Sequence, residues 1–166
     1  YKRLDWLMEA LASIKSPWPL SVVGDGPRRS AFQKLSQDLF GEKATGIVHF
    51  YGRVDEETKR ECLAHAEVLV LPSDCCNEAF GIVQLESMAS GIPAIAFTCE
   101  RSGMAWVCQL PELIGPQTPS TLPEVLERLA KDPLLRSRLG KKSRERYSKL
   151  FSRAVWSDDL LALSKR

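Results

Sequence analysis

Apolar positions along this chain recur with two periods, and the two alternate. LDWLMEALASIK places Leu4, Leu7, Met8, Leu11 and Ile14 three and four apart, the spacing of one helix face. PLSVVGDGP is a short apolar run stopped by glycines and predicts a strand; RRSAFQKLSQDLF after it predicts a helix. IVHFYG reads as a second strand, and DEETKRECLAHA as a second amphipathic helix with Asp55 as its N-cap. EVLVLPS is a continuous apolar run bounded by a proline, the pattern of a strand buried on both faces. A helix follows the segment after it, and IPAIAF reads as another buried strand. Residues 98–111 read as irregular or as holding a short helix, and ELIG as a last, short strand. TLPEVLERLAKD and DPLLRSRLGKKSRERYSKLF predict two closing helices, the second with Asp132 as N-cap and Pro133 at its first position. A tail helix starts near Ser152.

Strands that alternate with helices imply an α/β domain: a doubly wound, Rossmann-like parallel sheet with helices on both faces. Such sheets bind ligands beyond the carboxyl ends of their strands, where loops run into helix N-termini. Gly24 to Pro27, Gly52 to Asp55 and Ser73 to Gly81 all fall at that edge.

The third of these loops carries chemistry. In NEAFGIVQLESMASG, Glu78 precedes a helix expected to begin near Phe80 or Gly81, and Glu86 lies inside that helix. The first N–H groups of a helix have no internal partner and carry the positive end of its dipole, so they favour an anion. Gly81 has no side chain to keep a phosphate off the backbone. Glu86 stands about five residues in, roughly 7.5 Å along the axis. A diphosphate at the helix end, with a hydroxyl-bearing ring on each side held by a glutamate, describes a nucleoside-diphosphate sugar. The plainer alternative makes Glu78 a loop charge and Glu86 part of a solvated face. The setting favours a site: a buried strand and Pro72-Ser73 come before, and Ala89 to Pro93 and another buried strand come after.

Composition narrows the classes. In 166 residues, 44% are hydrophobic and 27% charged, which suits one folded domain or one lobe of a larger enzyme. A net charge of +2 is too small to imply nucleic-acid binding. No apolar run approaches the ~20 residues of a membrane span. Cys62, Cys75, Cys76, Cys99 and Cys108 are odd in number and lack metal-ligand spacing, so they read as reduced thiols of a cytoplasmic protein. The adjacent Cys75 and Cys76 read as incidental to the sugar loop. GDGPRRS offers two glycines of a dinucleotide fingerprint but has Arg29 where the third belongs. KKSRERYSKLFSR reads as a solvated helix face, with peripheral contact to anionic lipid as the alternative.

PSDCCNEAFGIVQLESMASGIPAIAF resembles the E-x7-E signature of glycosyltransferase family 4, the retaining group-1 enzymes of GT-B fold. VVGDGP, HFYGRV and HAEVLVLPS follow the order of that family, and YKRLDWLMEAL is similar to its lysine followed by a helix. The resemblance implies that residues 1–166 form the C-terminal, donor-binding domain of a two-domain enzyme whose N-terminal domain holds the acceptor. It implies that Glu78 bonds hydroxyls of the transferred sugar and Glu86 the ribose hydroxyls. Backbone groups of Ala79, Phe80, Gly81, Ile82 and Val83 would line the sugar and diphosphate, and Lys2 would bind the diphosphate. Gly24 and Gly26 would border the nucleotide. Val54 would lie near the base with Glu56 or Lys59 at its edge, unless these last two are solvated surface. The chain has no D-x-D triplet, and the family's chemistry needs no metal or other cofactor.

Two departures stand out. Where the family has G-G-x-x-E, this chain reads CERSGMAWVC, with Gly103 and no following glutamate. The family also has a strand just before the lysine that Lys2 matches. In the order 3-2-1-4-5-6 that strand is central, so PLSVV and EVLVL should stand apart by roughly two ladder spacings, about 9.6 Å, and not bond to each other. Upstream residues, or a neighbouring chain, are expected to fill that position. Two other functions remain open at this point: a nucleotide-sugar-binding module that does not transfer, and a sugar-nucleotide epimerase of the same fold.

Overall fold

A computed structural model describes residues 1–74, 77–109 and 118–164. Helix α1 (Leu4–Ser13) leads to β1 (Leu20–Val23), α2 (Arg29–Phe40), a 3-10 turn (Gly41–Lys43), α3 (Ala44–Ile47) and β2 (Val48–Gly52). Then come α4 (Glu56–Ala64), β3 (Leu69–Leu71), α5 (Ile82–Ala89), β4 (Ala94–Ala96) and α6 (Met104–Cys108). Helices α7 (Leu122–Lys131), α8 (Pro133–Leu150) and α9 (Arg153–Leu163) follow. The strand expected at ELIG lies outside the described residues.

The predicted caps set the helix starts. The Asp55 carboxylate accepts from Thr58 N–H at 2.8 Å, and Asp132 from Leu135 N–H at 2.8 Å ahead of Pro133. Each gives an otherwise orphaned donor a partner. Ser152 caps α9 in the same way through Val155 N–H.

Strand β1 pairs in parallel with β2, and β3 in parallel with β4. Among the described residues β1 and β3 form no ladder, and each pair is a separate two-stranded sheet. The break falls where the sequence placed it; a β1–β3 ladder would have refuted that expectation. The break also corrects the burial expected of EVLVL: only Leu71 of β3 is buried, while Leu69 and Val70 are half-buried. A strand buried on both faces also needs neighbours on both edges, and among the described residues β3 has one.

Leu7 and Leu11 of α1, with Ile14 just after it, meet Leu122, Val125, Leu126 and Leu129 of α7 on one side of the β3–β4 sheet. Ile95 and Phe97 point into this cluster, whereas Ala94 and Ala96 point to the other side, toward Met88 of α5 and Met104 and Val107 of α6. This period-two alternation is what a strand covered on both faces requires. Helix α8 crosses behind α5, where Gly140 lies against the Gly91 carbonyl and leaves no room for a Cβ.

Candidate functional site

Three loops follow the carboxyl ends of β1, β2 and β3. Gly24, at φ +120°, donates its N–H to Gly52 O at 2.7 Å, and Gly52 turns at φ +72°. This bond ties the loop after β1 to the loop after β2. Gly24 and Gly26 are exposed with open space beside them, and Val54 is half-buried between Gly52 and the Asp55 cap. The segment after β3 supplies the third loop; Cys75 and Cys76 within it lie outside the described residues.

Helix α5 starts at Ile82, with Gly81 as its N-cap in the left-handed region at φ +75° and no side chain capping it. The positive φ explains the glycine only in part. A Cβ here would stand 2.5 Å from Leu71 Cδ2 and 2.8 Å from Gln84 Nε2. This corrects the expected reason for Gly81: its bare side faces the protein interior rather than a phosphate. The anion-favouring groups that remain are the N–H groups of Ile82 and Val83, beside an exposed Ile82 side chain.

Both glutamates are partly buried and both are paired. Glu78 forms an ion pair with Lys2, and Glu86 lies 2.9 Å from Lys59 Nζ. Their side chains are 17% and 35% exposed, so neither is simply a solvated surface charge. Lys59 also contacts Glu56 at 2.9 Å. Hydrogen bonds to Glu56, and then to Glu86, hold the Lys59 ammonium above the ordinary lysine pKa. The structure therefore brings Lys59 to the acid of α5 and leaves Glu56 outermost, 73% exposed.

Residues 1–3 are anchored to the same loop. Asp74 N–H donates to Tyr1 O at 3.0 Å, and Arg3 bridges Asp5 at 2.8 Å and Asp74 at 3.2 Å. The Arg3 guanidinium lies over the Trp6 ring, 3.8 Å from its centroid. Lys2 is thus held beside Glu78 by contacts on both sides of it, not frayed.

Gln84, Ser102 and Arg146 escaped the sequence reading. Gln84 is fully buried and donates to Phe80 O at 2.9 Å. Its only signal is a polar residue on the apolar stripe of α5. In the departure segment, Ser102 Oγ donates to Glu78 O at 2.5 Å and Gly103 N–H to Ala79 O at 2.8 Å. Arg146 belongs to the basic stretch read as solvated, yet it turns inward and donates to Trp106 O at 2.7 Å and Val107 O at 3.0 Å. Burial pushes its pKa down.

The site is thus an α/β sheet edge at which two acids stand beside a helix N-terminus that no side chain caps. Comparison supplies the class. The sequence profile of the glycosyl transferases group 1 matches residues 1–132, and the chain belongs to that family. It is similar to the D-rhamnosyltransferase WbpZ of Pseudomonas aeruginosa, 31% identical over 92% of this chain and 39% of the relative. A GDP-mannose-dependent monoacylated alpha-(1-6)-phosphatidylinositol monomannoside mannosyltransferase of Corynebacterium glutamicum is 29% identical over 96% of this chain and 42% of its own. Among solved structures, sucrose-phosphate synthase from Thermosynechococcus elongatus superposes with a TM-score of 0.80 at 28% identity, covering 99% of this chain and 42% of that one. WaaG, a glycosyltransferase involved in lipopolysaccharide biosynthesis, gives 0.73 at 27% identity over 90% and 40%. The fold is that of GT-B glycosyltransferases, and the chain spans 39% and 42% of the length of the two sequence relatives. No helix among the described residues is long and apolar enough to cross a membrane.

Proposed function

We propose that this chain is the donor-binding lobe of a retaining glycosyltransferase that moves a sugar from a nucleoside diphosphate to an acceptor hydroxyl. One observation carries the reading: Glu78 and Glu86 flank the uncapped N-terminus of α5, each paired with a lysine from another element at the same sheet edge. Glu86 takes the ribose hydroxyls and Glu78 the sugar hydroxyls. The N–H groups at the start of α5 hold the diphosphate between them.

When the bond to the sugar breaks, negative charge grows on the departing diphosphate. The helix N-terminus and the Lys2 ammonium stabilise that charge where it develops, which is how such groups lower a barrier. Donor binding releases Lys2 from Glu78, so the cation passes to the phosphate as the acid turns to the sugar. No side chain of this lobe is assigned as general base; the leaving phosphate takes the acceptor proton. The acceptor docks on a second, N-terminal domain, and the lobe alone turns over little.

Calorimetric titration of the full-length enzyme with UDP, GDP and ADP, and with UDP-glucose, GDP-mannose and ADP-glucose, tests the reading. GDP-mannose comes first, given the donor in the name of the Corynebacterium glutamicum relative. Binding of one nucleotide series that weakens about tenfold in Glu86→Ala supports it. No binding by any of the six sinks it.

A further inference from the structure

We infer that Arg146 and Phe151 at the end of α8, acting through Ser102 and α6, are positioning residues that hold the Glu78 carboxylate at the sugar. The inference rests on the donor-lobe reading and adds residues that no local pattern along the chain singles out.

Glu78 lies in a turn outside any helix or strand, so nothing periodic holds its backbone. Three successive carbonyls there accept hydrogen bonds from outside the turn. Glu78 O takes Ser102 Oγ, Ala79 O takes Gly103 N–H, and Phe80 O takes Gln84 Nε2. Two of the three donors sit at the start of α6, a helix of 5 residues. A single turn of helix is too short to be stable by its own hydrogen bonds. Its far end is held by Arg146, whose guanidinium takes the terminal carbonyls of Trp106 and Val107. Cations at a helix C-terminus are favourable for this reason.

The same guanidinium stacks 5.3 Å from the Trp106 centroid and 5.7 Å from that of Phe151. Phe151 meets Trp106 edge-on at 5.5 Å and Phe80 edge-on at 5.9 Å. The Glu78 turn is therefore gripped along two routes that start at one arginine. One route runs through α6 to the carbonyls of Glu78 and Ala79. The other runs through Phe151 to the Phe80 ring. The second glutamate, Glu86, sits on α5 and takes its partner Lys59 from α4, an element that neither route includes.

This separation makes the test selective. In the full-length enzyme, Arg146→Lys keeps the charge but loses the two-pronged contact, Phe151→Leu removes the edge contacts, and Ser102→Ala removes one hydroxyl. Each variant is titrated with whichever of UDP, GDP and ADP the wild type binds. Each is also assayed for release of free sugar from the matching sugar conjugate. The expected result is nucleotide affinity within about twofold of wild type, with sugar release down about tenfold or more, the scale on which misplacing a reacting group by an ångström acts. Phe151→Tyr should restore release. Equal losses in both readouts would mean general damage to the fold and would overturn the inference, as would no loss in either. Should Arg146→Lys fail to fold, Ser102→Ala must show the same split or the inference falls. A wild type that binds none of the three nucleotides sinks the donor reading itself, a failure visible without any variant.

Discussion

The Lys59 ammonium stands 2.9 Å from the Glu86 carboxylate, so the helix after β2 and the helix after β3 meet in one ion pair across 27 positions of sequence. Side-chain exposures of 28% and 35% put the pair at the rim of the site, where solvent weakens it. Its value lies in aiming the carboxylate more than in stability. Glu86→Ala should weaken every nucleoside diphosphate by about tenfold, the scale of one or two hydrogen bonds to a charged group. Lys59→Ala should cost less, and the double variant should bind no worse than Glu86→Ala alone, because both changes remove one function. Calorimetry on the four proteins closes the cycle; additive losses would separate the two residues.

Glu78 and Lys2 should split differently. In the full-length enzyme Glu78→Gln keeps the shape, so nucleoside-diphosphate affinity should hold while sugar transfer falls about a hundredfold. Lys2→Met should lower both, since the proposed mechanism gives its ammonium to the diphosphate in the ground state and in the transition state. Steady-state kinetics beside nucleotide titration separates these outcomes. A Glu78→Gln enzyme of full activity would remove the acid from the mechanism.

Gly81→Ala should destabilise the fold by about 2–4 kcal/mol, from a left-handed φ and an overpacked interior. The obstructing atoms are Leu71 Cδ2 and Gln84 Nε2. Adding Leu71→Ala should therefore recover part of the loss in the Gly81→Ala background, although Leu71→Ala alone destabilises. Urea unfolding of the three variants measures it. No recovery would leave backbone strain and the Gln84 contact as the whole effect.

Asp5 sets a pH dependence on the acid side. Hydrogen bonds from Arg3 hold its carboxyl below the ordinary aspartate pKa, against an opposing push from burial. A folded pKa below the unfolded one gives stability that is present above the unfolded value and lost as pH falls through the folded value. Asp5→Asn should lose about 1 kcal/mol near neutrality. Below the folded pKa the difference from wild type should shrink. Thermal melts of both proteins across the acid range test the sign; a gap that widens toward acid would contradict it.

Much of the architecture was legible in order along the chain. Leu7 and Leu11 declare the inner face of α1 by spacing, Asp55 and Asp132 declare their helices by capping, and Pro133 marks the start of α8. These signals are local: a helix period or a cap needs only residues within a few positions. The burial of β3 was misjudged because EVLVL reports only the chain's own preference, whereas burial depends on which strand lies beside it. The two glutamates were legible as a pair because a helix start fixes their separation. Their partners were not.

What the sequence determined by itself is the alternation of strands and helices, hence the fold class, and the setting of Glu78 and Glu86 about the start of one helix. Only the tertiary structure decided that Lys59 serves Glu86, that Ser102 and Gly103 brace the Glu78 turn, and that Arg146 leaves the basic face to cap α6. It also decided that Gly81 is bare on its inner side. Each of these is a contact between residues far apart in the chain, and such contacts follow from how elements pack, which no local pattern encodes.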